Sequence, residues 1–108
     1  MTGSGPRDVT YRRWRLRPGV PAEAVRDLLR ARIAPHYRTL DPAVELDLEQ
    51  LQDAAAVLAI ARWPDRTSYD RATQGPAYQA WLEAYRPILD EWDRLVEFET
   101  EWFTRGLL

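Results

Sequence analysis

The sequence predicts an α+β domain in the order β-α-β-β-α-β, and three observations predict it. Four stretches of strand length either alternate apolar and polar residues or run continuously apolar. Two longer stretches carry apolar residues at helical spacing, and Pro or Gly stands at the boundaries between elements.

The first strand is expected over residues 9–17, with Thr10, Arg12, Trp14 and Leu16 on one face and Tyr11, Arg13, Arg15 and Arg17 on the other. Pro18-Gly19 ends it. Pro21 then opens a helix whose buried stripe is Val25, Leu28, Leu29 and Ile33, and Pro35 is expected to end that helix. That leaves 36–42 as a loop and His36 as a solvated loop residue rather than a base. The second strand, 44–51, turns Val44, Leu46 and Leu48 inward and Glu45, Asp47 and Glu49 to solvent. Gln52-Asp53 turns the chain into a third strand, 54–63, whose small apolar run reads as buried.

Asp65 is a natural N-cap for a short helix over 65–73, and Pro76 suits the start of a longer one over 76–92. On that helix Tyr78, Trp81, Leu82, Tyr85, Leu89 and Trp92 form one stripe, and Pro87 predicts a kink near Tyr85-Arg86. The last strand, 95–104, opposes Val96, Phe98, Thr100 and Trp102 to Glu97, Glu99 and Glu101. This is the ferredoxin-like order: a four-stranded antiparallel sheet with helices on one face and the last strand beside the first. The Arg13/Arg15/Arg17 row then meets the Glu97/Glu99/Glu101 row. Such a face is either solvated or packed against a second subunit, where charges must be paired.

Composition narrows the chemistry. The 108 residues suit one domain over 9–108 behind a flexible, Gly/Ser/Pro-rich segment at 1–8. A net charge of −2 gives no bulk attraction to nucleic acid or anionic lipid, and no apolar run nears the roughly 20 residues that span a bilayer, so a cytoplasmic protein is expected. All fifteen basic residues are Arg; without Lys or Cys there is no amine or thiol nucleophile and no disulfide. One His makes a His-rich metal site impossible, and Glu45, Asp47 and Glu49 on one strand read as solvated, so no metal is expected.

The aromatic residues Trp14, Trp63, Tyr69, Tyr78, Trp81, Tyr85, Trp92 and Trp102 fall on faces that point between sheet and helices. They either fill a core or line a pocket. Ala59 and Ala61 share the face of Trp63 and leave room beside it, and several Tyr on one stripe imply some polarity. A flat aromatic ligand would fit such a lining. Arg12, on the otherwise apolar face of the first strand, needs an anion there, either a carboxylate or a ligand.

The stretch 54–92 resembles the antibiotic biosynthesis monooxygenase family: an apolar strand ending in Trp63, a short helix with Tyr69, and the step Gly75-Pro76-Ala77-Tyr78 into the main helix. The resemblance implies a homodimer, a dimeric α+β barrel, with a pocket between sheet and long helix bordered by Trp63 and Tyr69. It implies oxygenation of a phenolic, quinol or polyketide-like small molecule without metal or flavin. Arg12, Trp63, Tyr69 and Arg86 are then the expected catalytic residues, and Trp14, Ala59, Ala61, Tyr78, Trp81, Tyr85 and Trp102 the expected substrate lining. Ala72 stands where haem-degrading relatives carry a His, and the Asn of several oxygenases has no counterpart, since the chain has no Asn. A cyclase or isomerase using the same pocket without O₂, and a non-catalytic binding or assembly protein, are the alternative readings.

Overall fold

The computed structural model describes residues 7–52 and 54–107. Residues 1–6 of the expected flexible segment at 1–8 and the turn residue Asp53 lie outside them, whereas Asp8, expected in that segment, is the first residue of a strand because it pairs with Trp63 and Arg105. The strands are β1 (Asp8–Leu16), β2 (Glu45–Gln50), β3 (Ala56–Trp63) and β4 (Val96–Arg105), forming one antiparallel sheet in the order β2-β3-β1-β4. The helices are α1 (Ala22–Leu28), α2 (Ala34–Leu40), α3 (Arg66–Ala72) and α4 (Gly75–Leu95). The predicted α+β, ferredoxin-like fold is present, with β4 beside β1.

The core forms where the helices meet one sheet face. Val25 of α1, Ile33, Val57 of β3 and Val96 at the start of β4 close against Trp81, Tyr85, Ile88 and Trp92 of α4. Those four α4 residues recur at spacings of four, three and four, so one stripe meets the sheet along the helix. Val25, Val57 and Val96 are completely buried, each stabilising the fold by about 1.5–3 kcal/mol. A second cluster joins Val44, Ala61 and Trp63, with Tyr69 and Ala72 against it. Ala72 therefore fills a packing position in α3.

Asp65 caps α3 as expected, its carboxylate accepting from the Ser68 N–H at 2.7 Å. Gly75, at φ 85°, takes a left-handed backbone that lets α3 stop and α4 begin almost at once. α4 is one helix through the exposed Pro87 and reaches Leu95, three residues beyond the expected end.

Two expectations fail in instructive ways. Pro35 does not end the first helix. A π-helical turn, Leu29–Ile33, widens the backbone, the Ala34 N–H reaches the Leu29 carbonyl, and Pro35 is absorbed into the first turn of α2. A wide turn relieves the clash that the pyrrolidine ring makes in a regular helix. His36 is therefore helical and partly buried, not a loop residue, with its ring stacked on Trp81 at 4.5 Å and on Tyr85 at 5.2 Å.

The second failure is in β4. Arg13 pairs with Thr100 but Trp14 pairs with Phe98, leaving Glu99 as the extra residue of a β-bulge. Beyond it every side chain changes face. Glu101 and Phe103 lie on the helix side, opposite Arg12 and Thr10, while Trp102 lies on the open side, stacked on Tyr11 at 5.4 Å. The expected charge rows are split accordingly. Arg15–Glu97 and Arg13–Glu99 form, Arg12 takes Glu101, and Arg17 donates instead to the Asp93 carbonyl.

Candidate functional site

Between the sheet and the helices, cavities follow β1. The first, about 60 Å³, is lined by Arg12, Trp14, Ala59, Tyr37, Tyr85 and Trp92 among others. The second, about 40 Å³, is bounded by Arg12, Tyr37, Trp63, Tyr69, Tyr78 and Trp81. Thr10, Arg12, Tyr37 and Ala61 line both, so they stand at the junction. Beyond Trp63 and Tyr69, which meet edge to face at 5.0 Å, a third space of about 220 Å³ opens against Phe103, Arg66, Arg105 and Asp8. Thr10 touches all three. Neither inner cavity approaches the roughly 300 Å³ at which small-molecule pockets begin.

The expected single pocket is thus divided. Arg12, Trp14, Ala59, Ala61 and Tyr85 line the first cavity; Arg12, Ala61, Trp63, Tyr69, Tyr78 and Trp81 line the second. Trp14 and Trp63 lie on opposite sides of the Arg12 junction rather than bordering one space. Arg86 is exposed and lines none of the three, because it is one residue past Tyr85 on α4 and so points off the buried stripe. Trp102 is excluded from the site by the Glu99 bulge.

Tyr37 was not anticipated. It lies at the junction and meets the rings of Trp81 at 5.1 Å and Tyr85 at 5.6 Å, both edge on. Leu29, Ile33, Tyr37 and Leu40 keep helical spacing, a signal that continues past Pro35 and would have found it. Trp81 also ties α4 to α2, its indole N–H donating to the His36 carbonyl at 2.9 Å and to Thr39 Oγ1 at 3.1 Å.

Arg12 brings positive charge to both inner cavities. Its Nε donates to Glu101 Oε1 at 2.9 Å. Burial works against its charge, but Tyr37 and Glu101 outweigh burial and raise its pKa. Burial raises the pKa of Tyr78 and, more strongly, of Tyr85, with Tyr37 adding to both. Tyr78 and Tyr85 are therefore held as neutral phenols and not as phenolates. The indole N–H groups of Trp14 and Trp63 are buried without an acceptor among the described residues. A buried donor left unmatched costs about 1–3 kcal/mol, and each of these borders a cavity. No cluster of three His, Asp or Glu residues suited to a metal occurs among the described residues, and no helix there is long and apolar enough to cross a membrane.

No family model and no curated protein matches the chain. Solved structures do. SnoaB, a cofactor-independent oxygenase from Streptomyces nogalater, is 22% identical with a TM-score of 0.56, over 93% of this chain and 92% of that one. HapK from Hahella chejuensis is 16% identical with a TM-score of 0.60, over 93% and 92%. A Chloroflexus aurantiacus protein provisionally assigned as an antibiotic biosynthesis monooxygenase is 15% identical with a TM-score of 0.55, over 94% of each chain. The chain has the antibiotic biosynthesis monooxygenase fold. Within that fold the motif residues Trp63, Tyr69 and Tyr78 stand together around one inner cavity, joined to the second through Arg12.

Proposed function

We propose that the chain is a cofactor-independent monooxygenase acting on a phenolic, quinol or polyketide-like aromatic molecule. The observation that carries the reading is the pair of unmatched indole donors, Trp14 and Trp63, on either side of a cationic Arg12 in an aromatic-walled interior. Each inner cavity thus offers one acceptor-seeking indole, and both share the positive charge of Arg12. Arg12 would favour the phenolate over the phenol, and the indole of whichever cavity holds the ring would donate to its oxygen. The electron-rich anion would reduce O₂ directly. O₂ would add to the carbanionic ring carbon to give a hydroperoxide, and cleavage of its O–O bond with loss of the remaining hydrogen on that carbon would leave a carbonyl and release one water. The protein's part would be positioning and charge stabilisation. The similarity to SnoaB supports the reading at the level of fold.

A homodimer joined through the open sheet face belongs to the same proposal. That face carries the Tyr11–Trp102 stack and charges already paired as Arg13–Glu99 and Arg62–Asp47, which lowers the penalty of covering them. The small inner cavities favour a second reading, a non-catalytic binder of small aromatics. The deciding assay is conversion of anthrone with metals chelated, in air and under anaerobic conditions. Conversion that requires dioxygen is expected, with Arg12→Gln lowering turnover more than affinity. Equal conversion without dioxygen replaces the oxygenase with a cyclase or isomerase, and binding without conversion leaves the binder.

A further inference from the structure

Arg12 and Glu101 meet only because of the Glu99 bulge, which turns Glu101 beneath the helices and opposite Arg12 in the β1–β4 ladder. Glu101 lines neither inner cavity, yet it occupies the cation that lines both. The two side chains remain 34% and 41% exposed, so the pair runs from the cavity junction out to solvent. Around Arg12 stand Tyr37 from α2 and Tyr69 from α3, both phenols, so Glu101 is its carboxylate partner. A ligand anion must compete with Glu101 for the guanidinium and also approach its negative charge.

We propose that Glu101 is a specificity-determining residue that tunes Arg12, disfavouring aromatic carboxylates and reserving the site for phenols that arrive neutral. The reasoning rests on the aromatic-pocket reading above. A carboxylate loses its hydration on entering and then meets a cation whose pull is partly offset by Glu101. A phenol enters uncharged, takes the indole donor of its cavity and loses its proton only beside Arg12. Glu101 thus acts through Arg12, as a positioning residue.

The test uses the full chain and two probes at pH 7, 1-naphthoate as the anion and 1-naphthol as the neutral phenol, with binding followed by tryptophan fluorescence. Glu101→Gln is expected to tighten 1-naphthoate by roughly two- to fivefold, the size of a partly exposed ion pair, while 1-naphthol stays within twofold. The gain is expected to vanish in the Arg12→Gln/Glu101→Gln double variant. Should Glu101→Gln fail to fold, Glu101→Asp, one methylene short of Arg12, is expected to shift the same ratio in the same direction by less. An unchanged naphthoate-to-naphthol ratio, or a gain that persists without Arg12, overturns the role of Glu101 and leaves the pocket standing. No binding of either probe overturns both the role and the pocket.

Discussion

Tyr85 shows how one side chain serves both packing and site. Its ring belongs to the core, and its phenol has a pKa raised first by burial and then by the neighbouring Tyr37. In the unfolded chain the same phenol titrates near pH 10. Its folded pKa lies above that value, so the unfolded state releases the proton first. The stability tied to the neutral phenol is therefore fully present below about pH 10 and is lost as pH rises from there through the folded pKa. The melting temperature is expected to fall as pH rises above about 10, and Tyr85→Phe to make that fall shallower. Identical slopes in the two proteins would show that Tyr85 does not carry the alkaline transition.

β4 decides which residues face the site, and one residue decides β4. A single deletion within a strand ordinarily turns every later side chain to the wrong face. Glu99 is the exception, because it is the residue left over between Thr100 opposite Arg13 and Phe98 opposite Trp14. Removing it leaves a regular ladder with Phe98 and Glu101 still on the helix side and Trp102 still on the open side. The loss is the Arg13–Glu99 ion pair, worth at most about 1 kcal/mol at its exposure. Deletion of Glu99 is therefore expected to lower the melting temperature by less than about 8 °C. A cooperative transition lost altogether would mean that the bulge supports the fold itself. The π-turn before Pro35 is the helical counterpart, since it keeps α2 in line and so brings Tyr37 to the cavity junction.

At the scale of the molecule the sheet is covered on one face and open on the other. Trp102 keeps 41% of its surface exposed beside Tyr11, a large apolar area for a small domain to leave in water. Light scattering after size exclusion at micromolar concentration is expected to give twice the 12.6 kDa chain mass. Trp102→Glu is expected to shift the species toward the single-chain mass while leaving helix content unchanged. A wild-type species at 12.6 kDa would end the proposal of a sheet-to-sheet dimer.

By itself the sequence determined the order of elements, the two helical stripes, the cap at Asp65 and the inward face of β1, because each follows from spacing within a few residues. The family resemblance, and not local spacing, implied a pocket bordered by Trp63 and Tyr69, and both line one inner cavity with Arg12 and Tyr78. The tertiary structure alone decided the rest. Trp102 and Glu101 exchanged faces because the phase of β4 is set by pairing with β1, and alternation within β4 carries no mark of where a bulge will fall. Arg86 fell outside because a helix has one buried stripe, and packing against the sheet chose the one through Tyr85 and Ile88. Tyr37 and His36 moved from loop to helix because the tertiary contacts of Trp81 and Tyr85 hold α2 in place across a proline that local propensity alone would treat as a stop. Local pattern fixes which face a residue prefers, and only long-range pairing fixes what lies opposite it.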